Sequence, residues 1–141
     1  MPGVSFKPRF QVPIVVGDKR HTIRNRKRPF RPGDGLFLWI QQRTPNRRWL
    51  GYTTVRATQE VWIDVGVGRR LLIDVDGQRL DNSEADRLAR ADGFHDIGEM
   101  YDFWQENNEM PFKGQIVHWF YPLQERPAAL KPGRKKGSKR R

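Results

Sequence analysis

Cysteine is absent from this 141-residue chain. That excludes disulfides, thiolate nucleophiles and every cysteine-based zinc site at once. Histidine is scarce: His21, His95 and His118 are scattered and show no metal-ligand spacing, so neither a metal nor a cofactor is expected. Long apolar runs are missing too; none approaches the roughly 20 residues needed to cross a bilayer. Met1 to Pro8 lacks the apolar stretch of a secretory signal, and the expectation is a cytoplasmic protein with no membrane partner. Hydrophobic content is only 36%, which limits the core of the single expected domain. Five Trp and eight Phe offset that shortage, because each aromatic ring can bury roughly 150–250 Å².

Charge is plentiful and segregated. The formal net charge is +11, made up of +10 over residues 1–49, −7 over 50–125 and +8 over 126–141. Segregation of this kind points to a positive surface that meets a polyanion, whereas an evenly solvated surface would have mixed the signs.

The local signals predict a short strand near Val4–Lys7, a brief helix ending at Gly17, and a strand over His21–Arg24. A basic loop follows, then a turn at Pro32-Gly33-Asp34-Gly35. Next comes a strand over Leu36–Gln42, apolar on both faces. Trp49–Thr58 and Glu60–Val65 read as two strands, and Asp76-Gly77 as a hairpin turn. Ser83 is the expected cap of a helix to Arg90, and Asp96 with Glu99 the start of a second helix. Gln115–Tyr121 is the last predicted strand. The division is a folded domain over 1–125 and a disordered basic tail over 126–141. The fold class expected is α+β: a small mixed β-barrel with short helices at its flanks.

Cations cluster around the second strand. Arg20 and Arg24 share a strand face with Thr22 between them, Arg9 and Arg26 are near in sequence, and Arg43 falls in the next loop. Such a collar can hold several phosphates, and Trp39, Trp49 or Phe30 can stack on an unpaired base. His21, inside the cluster, is a candidate phosphate ligand or ribonuclease acid/base group. The partner these features fit is RNA, single-stranded nucleic acid or a nucleotide. An acidic protein partner is a further possibility on charge alone.

The order Gly17-x-Lys19-x-x-Thr22-Ile23-Arg24, then Pro32-Gly33-Asp34 and Leu36-x-Leu38, resembles the opening of the ASCH family in the PUA-like superfamily. Leu88-Ala89-Arg90-Ala91-Asp92-Gly93-Phe94 and Met100-x-x-Phe103-Trp104 extend the resemblance to about residues 4–121. Leu36 to Thr44 looks most like ASCH-type proteins carried by phages and prophages, which implies a bacterial or phage-infected cell. The resemblance implies a PUA-like pseudo-barrel with a cleft for nucleic acid or a nucleoside; the expected state is a monomer. Some members of that family resemble amidohydrolases that deacylate acetylated cytidine, and ribonuclease activity has been attributed to others.

By motif position, the Lys, Thr and carboxylate of the amidohydrolase-like members map onto Lys19, Thr22 and Asp92. Here the carboxylate is Asp rather than Glu, and Arg20-His21 replaces a Thr-Ile pair. A Thr hydroxyl needs a neighbouring base to become a nucleophile, and a desolvated Lys can act as one. In a regular strand positions 19 and 22 face opposite ways, so the two converge only if Lys19 precedes the strand. The plainer alternatives are a solvated turn Lys, a strand Thr and an Asp-Gly helix terminator. Binding is the primary expectation. Hydrolysis of the bound ligand, as an amidohydrolase on acylated cytidine or an endoribonuclease, is the alternative.

Overall fold

The computed structural model describes residues 3–125, and the basic tail expected over 126–141 lies outside them. Seven strands and three α-helices are arranged as β1 (Gly3–Phe6), α1 (Gln11–Val16), β2 (His21–Arg24), β3 (Gly35–Ile40), β4 (Arg48–Gly66), β5 (Arg70–Val75), β6 (Gln78–Arg79), α2 (Asn82–Ala91), α3 (Ile97–Asn107) and β7 (Phe112–Trp119). The protein is therefore of mixed α+β class.

β4 organises the sheet. The two strands expected on either side of Gln59 are one 19-residue strand, because both halves find partners. Its first part pairs antiparallel with β3, its middle with β7 and its end with β5. A register shift between Val55 and Ala57 marks a bulge where β7 takes over as partner, and such bulges bend a strand. β1 adds to β3 in parallel, and β2 adds to β7 antiparallel. The sheet does not close into a barrel. Among the described residues no ladder joins β1 to β2, and both remain edges. The gap between those edges is where the site forms.

One core fills the inner side. Leu36, Leu38 and Ile40 alternate inward from β3 as their spacing predicts, and all are buried. Ile63, Ile73 and Ile116 meet Met100 and Trp104 of α3 and Ala85 and Ala89 of α2. α2 begins earlier than expected. Asp81, not Ser83, is its cap: Asp81 accepts from Glu84 N at 2.8 Å while Glu84 accepts from Asp81 N at 2.9 Å. Only Asp81 has a Glu three residues on to complete that reciprocal pair. Asp96 caps α3 as predicted, accepting from Glu99 N at 2.9 Å. β7 is shifted to Phe112–Trp119 relative to the predicted range, because its pairing with β4 extends down to Phe112↔Ile63.

Candidate functional site between the open strand edges

Two glycines set the site's ends. Gly17 terminates α1 at φ 88°, and a Cβ there would come within 2.8 Å of the Tyr121 ring. Gly93 follows α2 at φ 102°, where a Cβ would come within 2.9 Å of Phe10. Left-handed backbone with no room for a side chain is glycine's particular provision. The first delivers the chain into Asp18-Lys19-Arg20, and the second holds Asp92 at the end of α2.

Lys19 lies in that turn, before β2 begins at His21. Its backbone N–H donates to Pro13 O at 2.9 Å. The side chain runs inward between Phe6 and Phe10, with Nζ 5.8 Å and 5.0 Å from their ring centroids. Nζ donates to Asp92 Oδ1 at 2.6 Å and to Asp92 O at 2.7 Å. Both side chains are almost fully buried. Burial pushes the Lys19 amine below its ordinary range, and the Asp92 carboxylate opposes that shift. Burial also pushes Asp92 up, but the charge of Lys19 and the proximity of His21 outweigh it and hold the acid below its usual value. His21 Nε2 is 3.1 Å from the same Oδ1 without hydrogen-bond geometry. No protein donor among the described residues engages Oδ2.

Thr22, on β2, is buried, and its Oγ1 accepts from Arg24 Nε at 3.0 Å. Arg24 then crosses the gap, donating from Nη2 to Ser5 O on β1 at 2.7 Å with its guanidinium 4.9 Å from the Phe6 ring. A side chain thus joins two strand edges that no backbone ladder joins. Burial lowers the Arg24 pKa, and Asp92 opposes the shift.

These groups open onto one cavity of about 660 Å³. Lys19, Thr22, Arg24 and Asp92 form its polar side, Phe6, Phe10, Phe94, Phe103, Trp104 and Phe112 its aromatic side, and Asn25, Asn107 and Asn108 also line it, with Lys7, Lys113 and the carboxylate of Glu109. The volume falls within the roughly 300–1,000 Å³ of small-molecule sites. The arrangement combines an aromatic stacking surface, a buried cation–carboxylate pair and a hydroxyl whose lone pair is fixed by a guanidinium.

The other expected binding residues lie elsewhere. Arg20 does not share a strand face with Arg24: it precedes β2, donates to Gly17 O at 2.7 Å and lies over Tyr121. His21 is buried beside Asp92 but does not line the cavity. Arg9 backs the aromatic wall from outside, pairing with Glu99 at 2.9 Å and lying 4.8 Å from the Phe94 centroid. Arg26 stacks over Phe30, which is itself buried. Arg43 is exposed in the β3–β4 loop. Trp39 packs against Trp49 at 5.1 Å, on the opposite side of β3 from the core, and neither reaches the cavity.

Sequence reasoning missed the phenylalanine wall and the lining asparagines. Phe94 and Phe103 carried a signal, being adjacent to the Asp92-Gly93 motif and three residues past Met100. Phe6 and Phe10 carried only the look of core residues. Comparison of the chain with protein-family models, with curated proteins and with solved structures finds no match.

Proposed function

We propose that this protein binds RNA, or one flipped or modified nucleotide, in the cavity between β1 and β2, as a PUA-like module of ASCH type. One observation carries the reading: Lys19, Thr22, Arg24 and Asp92 converge on a single aromatic-walled cavity. A base fits against phenyl rings, where stacking contributes roughly 1–3 kcal/mol. Asp92 Oδ2 can accept from an exocyclic amine, and Arg24 with the lining lysines can hold a phosphate. RNA is favoured over duplex DNA because a base enters such a cavity only when unstacked. The test is calorimetric titration of cytidine 5′-monophosphate and of single-stranded RNA into the wild type and a Lys19→Met/Asp92→Asn double variant. Saturable binding that the double variant loses is expected. No binding by the wild type, or equal binding by both, overturns the reading.

A second reading, hydrolysis of an acylated cytidine, draws on the hydrogen bonding around Lys19. Burial shifts the Lys19 amine toward its neutral form, the form this reading requires to take the Thr22 proton, while Asp92 holds the amine through two hydrogen bonds. In this reading Thr22 Oγ attacks the acyl carbonyl and the C–N bond breaks. The proton passes through Lys19 to the departing amine, and water then hydrolyses the threonyl ester to free acid. Arg24 Nε stabilises the oxygen as it loses its proton. Acetate release from N4-acetylcytidine that rises with pH and disappears in Thr22→Ala is the expected result; a wild type without turnover ends this reading. Ribonuclease chemistry through His21 gains no support from an imidazole buried outside the cavity.

A further inference from the structure

A second groove, of about 570 Å³, begins where the first cavity ends; Arg24, Asn25 and Lys113 line both. Three of its lining residues, Lys113, Trp62 and Asp74, belong to a transverse row set by strand register. Lys113 of β7 faces Trp62 of β4, Trp62 faces Asp74 of β5, and Asp74 faces Arg79 of β6. Cross-strand partners share a sheet face, so these four side chains stand together, opposite the core residues Ile63 and Ile73. Trp62 is only half-buried and lines the groove. Arg79 does not line it; held by Asp74, it lies 5.7 Å from the Trp62 centroid and backs the ring from outside. Arg26 forms a further wall, its guanidinium kept in place over Phe30 at 3.7 Å.

We propose that this groove is a second nucleotide subsite, and that the ligand is an oligonucleotide single strand rather than a free nucleoside. The inference rests on the cavity reading above. Trp62 offers a stacking face for the neighbouring base, and Arg24 and Lys113, on the shared rim, lie where the linking phosphate must pass. Arg26 meets the next phosphate. Glu60, an exposed carboxylate in the groove, disfavours an anion at that point and can accept from an exocyclic amine, so it faces a base. Asp74 is neutralised by Arg79. The occupant therefore alternates phosphate and base across the rim, as a single strand does.

The experiment compares fluorescein-labelled tetracytidine RNA with cytidine 5′-monophosphate on the full chain. The wild type should bind the tetranucleotide more tightly. Trp62→Ala should weaken the tetranucleotide about tenfold or more while leaving the mononucleotide unchanged, and Trp62→Phe should retain most of the affinity. Arg26→Ala should lower the salt slope by about 0.7, one phosphate's worth on a single strand. Tetranucleotide affinity unchanged in both Trp62→Ala and Arg26→Ala overturns the inference, as does parallel loss of the mononucleotide in Trp62→Ala. Mononucleotide binding with no gain from the longer probe refutes the second subsite and leaves the cavity reading standing. Binding of neither probe refutes both.

Discussion

Two cationic regions of this molecule differ in how their charge is held. The loops over residues 25–31 and 43–48 are dense in arginine and mostly exposed. The cavity holds fewer cations, yet Lys19 and Arg24 are each fixed by two hydrogen bonds, Lys19 fully buried and Arg24 half-buried. Exposed cations act through a screened, long-range field that is nearly indifferent to the ligand's shape. Buried ones act at fixed points in a low-dielectric site, where position matters. Charge density along the chain therefore marks where a polyanion would be attracted, while burial marks where it would be recognised.

The sharpest way to break that comparison is to remove one member of the buried pair. Asp92→Ala leaves Lys19 without its counter-charge and should cost about 3–5 kcal/mol of stability in chemical denaturation. The Lys19→Met/Asp92→Asn double variant, which removes both charges, should regain most of that stability without regaining ligand binding. A double variant as unstable as the single one would show that the pair holds the fold rather than the ligand.

Acid should separate the regions next. Burial, with the nearby charges of His21 and Arg56, lowers the His118 pKa from 6.5 to about 4. The folded state thus binds fewer protons than the unfolded chain between those values. Stability is complete above pH 6.5 and falls as pH drops through about 4. His118 Nε2 donates to Gln59 Oε1 at 2.7 Å, so His118→Gln should flatten that limb of a melting-temperature profile. Asp92, whose pKa is lowered from 3.8, adds a further loss only below that value. A profile unchanged by His118→Gln would place the acid sensitivity elsewhere.

Smaller effects follow at single groups. Thr22→Val removes the hydroxyl that Arg24 holds, and should cost about 1 kcal/mol of stability while abolishing any acyl transfer. Least of all, Arg43→Ala with Arg47→Ala should leave stability within about 0.5 kcal/mol and reduce only the salt-dependent part of RNA affinity. Loss of salt-independent affinity in that variant would erase the distinction between collar and cavity.

The sequence was most informative where a local rule acts alone. Gly17 ending a helix, His21–Arg24 as a strand, the Asp76-Gly77 hairpin and the alternation of Leu36, Leu38 and Ile40 all follow from backbone sterics or period-two patterning. Lys19 precedes the strand and so lines one cavity with Thr22; strand periodicity alone makes that placement a condition and does not decide it. Ser83 lost to Asp81 because a cap is decided by which residue finds its reciprocal partner. Arg20 left the expected face because β2 starts one residue later. Trp39 turned away because both faces of β3 are apolar, and composition cannot tell the core side from the outer one.

By itself, then, the chain's order determined its elements, its segregated charge and the identity of the groups capable of chemistry. Only the tertiary structure decided that the sheet stays open between β1 and β2, that α2 ends over this gap, and that five phenylalanines and Trp104, rather than Trp39 or Trp49, wall it. Those outcomes depend on contacts between residues far apart in the chain, 73 positions for Lys19 and Asp92 and 90 for Arg9 and Glu99. Local propensity does not encode such contacts, because their energy exists only after the chain has closed on itself.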